Sequence, residues 1–231
     1  MEKIPKLKEM SPKERAIYIW DYYKWFLIIG IIAIIAVISI ARHFLTQKES
    51  VLYVVLANAD SLSAEGDGKE LFSDFLEREG FDPKKKEIEV NQSISYLSGQ
   101  SMSDIYGMQA LTTILGSGTA DVCVMNEELF QELASLGAFV PVSFYLSEEE
   151  MEEQADQILW VSADPDVETI AEGTESEAPG TLYARGIRIS DDNVLTENGL
   201  YPPEGTYIGI ANASGRAELA AKLVRELAGV E

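Results

Sequence analysis

The chain has 231 residues and carries 39 Asp/Glu against 18 Lys/Arg, a formal net charge of −21, with one histidine and one cysteine. So acidic a balance repels phosphate backbones and argues against nucleic acid as a partner. The lone Cys123 excludes an internal disulfide, and the lone His43 leaves everything after it without an imidazole for a Ser–His or Cys–His pair or a His-rich metal site.

Ser11-Pro12-Lys13-Glu14 spells a helix start, with Ser11 able to cap, Pro12 at the first helical position and Glu14 able to close a capping box. No proline follows before residue 45 and the only glycine is Gly30, so one helix is predicted from about 12 to about 45. Within it, residues 25–41 are seventeen consecutive positions without a charge, flanked by Lys24 and Arg42. That length corresponds to about 25 Å of helix. The run is expected to be a transmembrane helix over 25–45, with Trp25, Phe26, Ile31, Ile35 and Ile40 facing lipid. Residues 1–45 hold seven Lys/Arg against four acids, while the remainder holds eleven against 35. The positive-inside rule then places a basic head, 1–24, in the cytoplasm and the acidic body outside the cell membrane, in a single-pass topology. Tyr18, Trp20, Tyr22, Tyr23 and Trp25 gather at the inner boundary, where aromatic rings prefer to lie. A signal peptide cleaved after Ala41 competes with this anchor, but a 24-residue leader and a 17-residue apolar core are long for one. The head is read as an orientation signal in preference to a docking surface.

Residues 46–50 form a short linker, and 51–231 are expected to be an extracytoplasmic α/β domain. Residues 51–57 (VLYVVLA) are a short β-branched run and predict a buried strand. Leu71, Phe72, Phe75 and Leu76 form a helical stripe that Gly80 ends, and 87–96 (EIEVNQSISY) alternates as a second strand. A helix over 103–115 leads through Gly116-Ser117-Gly118 to a third strand, 121–125 (DVCVM), and a helix over 126–136 that Gly137 terminates. Ser147 opens an acidic helix, 159–163 is strand-like, and 164–180 is an acidic loop poor in apolar residues. Two further strands, 181–190 and 206–211, precede a last amphipathic helix over 216–228. Alternation of this kind predicts an α/β fold of mixed, mostly parallel sheets flanked by helices.

The stretch 120–142, ADVCVMNEELFQELASLGAFVPV, resembles the extracellular solute-binding proteins of ABC transporters, which have the type 2 periplasmic-binding fold. The preceding ALTTILGSGTA, the opening VLYVVLANAD and the closing TYIGIANASGRAELAAKLVRELAG are similar to other elements of that family. The resemblance implies a reduced binding protein, here on a membrane anchor, closing two lobes on a small ligand and signalling to a transporter permease or another membrane partner; the lone cysteine suits the surface of a Gram-positive bacterium. The body, near 185 residues, is short for that family, and no aromatic platform for a sugar is evident. A scaffold or interaction protein that keeps the fold without a ligand is the alternative.

The ligand site that the resemblance implies lies at strand ends near the interlobe crossings. Its candidates are Asn58 and Asp60 after the first strand, Tyr96 after the second, Asn126 after the third, and Asn212 and Ser214 before the last helix. Asn126 and Ser214 could equally cap the helices that follow them. No enzyme, cofactor or metal is expected. Cys123 lies in an apolar strand pattern, where a small buried hydrophobe outweighs a nucleophile. Residues 60–70 and Asp191-Asp192-Asn193 could gather oxygen ligands for calcium, but the first does not match the EF-hand spacing and solvated loops are the better reading; Gly116-Ser117-Gly118 lacks the lysine of a phosphate loop and is read as a helix terminator.

Overall fold

The computed structural model describes residues 11–46, 48–60, 70–96, 101–162 and 181–230, with the side chains of the first helix described at 11–13, 20, 24–26, 28–39 and 42. The expected acidic loop at 164–180 lies outside these residues, as do the side chains of Glu14 and Ile40. The chain divides into two units, Met1–Gln47 and Lys48–Glu231.

In the first unit a single helix, α1 (Pro12–Thr46), runs for 35 residues. The helix starts where Pro12 was expected to start it. Its membrane reading is corrected: among the described residues no helix is long and apolar enough to cross a membrane. The transmembrane assignment of 25–45, the bilayer as partner, and the single-pass topology with a cytoplasmic N-terminus and an extracytoplasmic body are therefore not retained. The anchor residues Trp25, Phe26, Ile31 and Ile35 are seen instead as exposed side chains on a helix.

Among the described residues of the second unit, six strands form one open sheet in the order β2-β1-β3-β6-β5-β4. They are β1 (Glu49–Leu56), β2 (Lys86–Asn91), β3 (Val122–Asn126), β4 (Ile158–Ser162), β5 (Leu182–Arg188) and β6 (Thr206–Ile210). β1 pairs in parallel with β2 and β3, whereas the β3–β6, β6–β5 and β5–β4 pairs are antiparallel. The expectation of a mostly parallel arrangement in several sheets is thus corrected to one mixed sheet. The connections explain the change. β1, β2 and β3 are linked through helices, which parallel neighbours need, while β6 enters beside β3 from the opposite direction.

Strand alternation distributes the apolar residues to two layers. Leu52, Val54 and Leu56 of β1, Val122 and Val124 of β3, and Ile208 and Ile210 of β6 face one core. That side is covered by α2 (Ser73–Arg78) and α7 (Ala217–Ala228), the latter through Ala220, Leu223, Val224 and Leu227. Val55, Cys123 and Met125 face the other core. There they meet α3 (Met102–Gly116) through Leu111 and Leu115, and α4 (Glu127–Ser135) through Leu129, Phe130 and Leu133. Two short α-helices, α5 (Glu148–Glu153) and α6 (Val194–Glu197), are also present.

The two-lobed solute-binding architecture is also corrected. Among the described residues of the second unit, one sheet with helices on both faces leaves no second lobe and no hinge. The stretch 120–142 does form a buried strand and a helix stopped by Gly137 at φ +74°, but that unit serves any α/β sheet and does not fix strand order. The transporter association implied by the resemblance goes with it, and the Gram-positive surface read from the lone cysteine goes with the membrane topology.

Candidate functional site

The sheet has two poles, and the candidate residues divide between them. The C-terminal ends of β1, β2 and β3 share one pole. β6 runs the other way, with Thr206 opposite Asn126 and Ile210 opposite Val122. Residues that follow β6 therefore emerge beside the start of β3, about 13 Å from Asn126 at 3.3 Å per residue.

At the first pole Asn58, Tyr96 and Asn126 converge. Asn58 adopts a left-handed turn at φ +58°, tolerated by asparagine better than by most residues. Its Nδ2 donates to the Tyr96 carbonyl at 2.6 Å and to Asn126 Oδ1 at 2.9 Å, and its Oδ1 accepts the Tyr96 N–H at 2.7 Å. The backbone N–H of Asn58 donates to the Ile94 carbonyl. One amide side chain thus extends the β1–β2 pairing beyond Asn91, where the ladder stops. Asn126 precedes α4 but makes no side-chain cap, because its oxygen serves Asn58. The Tyr201 hydroxyl, buried behind them, shares its one proton between the carbonyls of Ala57 at 2.5 Å and Val124 at 3.0 Å, and burial pushes it well above the usual phenol range. Asp60 is exposed, and its N–H donates to the Leu200 carbonyl.

At the opposite pole Ser214 joins a buried ion pair. Asp121, with no side-chain exposure, accepts from Tyr53 N–H at 2.7 Å, Ser214 Oγ at 2.6 Å and Arg216 Nε at 3.1 Å, and a terminal guanidinium nitrogen of Arg216 ion-pairs with it at 2.8 Å. Ser214 Oγ in turn accepts the Arg216 N–H at 3.1 Å, turning the chain into α7. Asn212 binds the 137–138 turn through its N–H to the Ala138 carbonyl at 2.8 Å and its Nδ2 to the Gly137 carbonyl at 3.3 Å. Asn212 and Ser214 are therefore not neighbours of Asn58, Tyr96 and Asn126. Sequence reasoning passed over Asp121 and Arg216, although an aspartate at the mouth of an apolar strand was a visible signal.

Two open grooves adjoin the first pole. The larger, about 730 Å³, lies among Gln154, Arg188, Asp191, Lys222, Arg225 and Glu226. Three of its charges are already engaged: Lys222 with Glu79, Arg225 with Glu150, and Glu226 with Arg78. The Arg225 guanidinium holds the Glu150 carboxyl at about 2, helped by the capping bonds of Ser147. The smaller groove, about 400 Å³, is lined by Tyr96, Ile105, Met108, Gln109 and Thr112. Among the described residues no group of three His, Cys, Asp or Glu could hold a metal ion. Asn193 caps α6, accepting from Leu195 and Thr196 N–H. Cys123 is fully buried, and burial pushes its thiol upward, away from the reactive thiolate.

No family model matches the chain, and neither a curated protein nor a solved structure matches it.

Proposed function

We propose that this chain is a non-catalytic interaction or scaffold protein, in which the α/β unit is a rigid body and α1 an associating helix. The observation that carries this is α1 itself. Trp25, Phe26, Ile31 and Ile35 are 57–71% exposed, with Ile28, Ile29, Ile32, Ile34, Val37 and Ile38 exposed beside them. Apolar surface of that extent is rare on a monomer and marks a contact surface. The first-pole polar groups support the same reading, since Asn58, Asn126 and the Tyr96 backbone satisfy one another and leave a small ligand few groups to recruit.

Sedimentation velocity of the full chain tests this. Protein assemblies are expected, and Ile31→Ser with Ile35→Ser should dissociate them while urea unfolding of the α/β unit stays unchanged. A wild-type chain that remains monomeric, or that floats with lipid vesicles instead of assembling with protein, overturns the proposal.

A further inference from the structure

A second surface is also left uncovered by the described residues. α3 is apolar on both sides. Its inner side buries Leu111 and Leu115, and Gly107 packs so closely that an added Cβ would lie 2.4 Å from the Ser95 carbonyl oxygen. Its outer side presents Met102, Ile105 and Tyr106, at 63, 54 and 63% exposure. These positions recur at the three- and four-residue spacing that defines one face of a helix. A surface helix normally turns charge or polarity outward, so an outer apolar row signals cover from elsewhere. Ile105 also lines the 400 Å³ groove, whose wall is Tyr96 and whose floor continues along α3.

The charge beside this row indicates what covers it. The Tyr96 hydroxyl donates to Glu132 at 3.1 Å, and Glu128 lies one turn earlier on α4 with Glu127 before it, all three exposed. No Lys or Arg occurs between Lys86 and Arg185, so neither α3 nor α4 has a cation to offset these carboxylates. Burial, with Glu132, Asp104 and Glu128 nearby, raises the Tyr96 hydroxyl above its usual range, in keeping with a negative potential at the groove. A second copy of the same face would bring carboxylates against carboxylates, which association does not tolerate.

We infer that the outer face of α3, together with the acidic face of α4, docks a basic amphipathic segment of another protein. Its apolar row lies along Met102, Ile105 and Tyr106, one side chain enters the groove beside Tyr96, and its Lys or Arg residues meet Glu128 and Glu132. Helix-in-groove recognition uses this division of labour between apolar anchors and flanking charge. The inference rests on the interaction reading above and names one partner class for it.

The test is fluorescence anisotropy of the full chain with a labelled 14-residue Leu–Lys peptide of helical amphipathic spacing, against its Leu–Glu counterpart, at physiological salt. The Leu–Lys peptide is expected to bind and the Leu–Glu peptide to fail. Ile105→Ser with Tyr106→Ser, and separately Glu128→Gln with Glu132→Gln, should each weaken binding about tenfold, which is 1.4 kcal/mol. Glu204→Gln with Glu218→Gln, both exposed and outside α3 and α4, should leave it within about twofold. Equal weakening by the control pair would show diffuse attraction to an acidic chain and overturn the inference, as would binding of both peptides or of neither. If neither peptide binds while the α1-dependent assembly persists, the inference fails and the interaction reading stands. If that assembly is missing as well, both fail.

Discussion

Removing the Asp121 carboxylate should be the most damaging single polar change in the α/β unit. It takes three hydrogen bonds and one further ion-pair contact from three elements: Tyr53 in β1, Ser214 in the turn after β6, and Arg216 at the entry to α7 through Nε and a terminal nitrogen. Asp121→Ala strands the Tyr53 N–H and half-strands a guanidinium that is 39% exposed. Breaking a buried pair by deleting one partner costs about 3–5 kcal/mol, and the partial exposure of Arg216 sets the expected loss near the lower end, about 3 kcal/mol. Arg216→Ala leaves a buried carboxylate with only Tyr53 N–H and Ser214 Oγ, and should cost about as much or more. Because both deletions remove the same contact, the double variant should fall short of additivity by about 1–3 kcal/mol. Asp121→Asn should not rescue, since its amide N–H₂ must face either the Tyr53 N–H or the guanidinium. Urea unfolding measures this as a shift in midpoint at constant slope. Against a typical domain stability of about 5–15 kcal/mol the shift is large. An Arg216→Ala cost below about 1 kcal/mol, or strict additivity in the double variant, would refute the reasoning.

Other consequences concern packing, turns and pH. A Cβ at Gly186 or Gly209 would fall 2.5 or 2.8 Å from the Phe130 ring, so Gly186→Ala should destabilise by about 1–3 kcal/mol, and Phe130→Leu in the same chain should recover part of it in thermal unfolding. Asn58→Gly keeps the left-handed turn but loses the bridge to Tyr96 and Asn126. It should cost less than Asn58→Ala, which loses both, and equal urea midpoints for the two would show that the turn contributes nothing. The Glu150 carboxyl is held at about 2 by Arg225, below its ordinary value near 4.5, so its contribution is full above pH 4.5 and is lost as pH falls toward 2. The difference in melting temperature between the native chain and Glu150→Gln should accordingly shrink between pH 5 and pH 2. Cys123 should resist a thiol reagent in the native chain and react once urea unfolds it, and fast labelling without denaturant would contradict its burial.

Local elements were legible because their causes are local. Pro12 starts α1, Gly80 and Gly137 stop α2 and α4 at positive φ, and the runs at 51–57 and 121–125 become β1 and β3 in the sheet interior. α6 escaped because four residues carry no period, although Asn193, its cap, was on the page as a calcium candidate. The alternation over 87–96 was read as one strand, yet the ladder ends at Asn91. Beyond it the Asn58 amide takes over the work of pairing, and no periodicity signals a side chain standing in for a strand.

Strand order was not legible, and the fate of the candidate site follows from that. Choosing residues after successive strands assumes that every strand points the same way, as in an all-parallel sheet. Under that assumption Asn58, Tyr96, Asn126, Asn212 and Ser214 form one cluster. β6 is antiparallel to β3, so the assumption fails at one step and Asn212 and Ser214 move to the other pole. Burial settles where a strand sits in the sheet but not which way it runs. Here β6 places Ile208 and Ile210 in the layer beneath α7 and Gly209 against Phe130 in the layer beneath α4. A glycine admitting an aromatic ring from one side, between two isoleucines turned to the other, suits a central position between β3 and β5 in either direction. What distinguishes the directions is the polar chemistry at the strand ends. The turn after β6 brings Ser214 and Arg216 to Asp121, and no other described residue ion-pairs with that carboxylate. The ion pair thus ties the antiparallel placement of β6 to the buried acid ahead of β3. Its loss in Asp121→Ala should therefore loosen β6 and α7 before β1 and β2, with faster amide exchange at Ile208 and Ile210 than at Val54 and Val90.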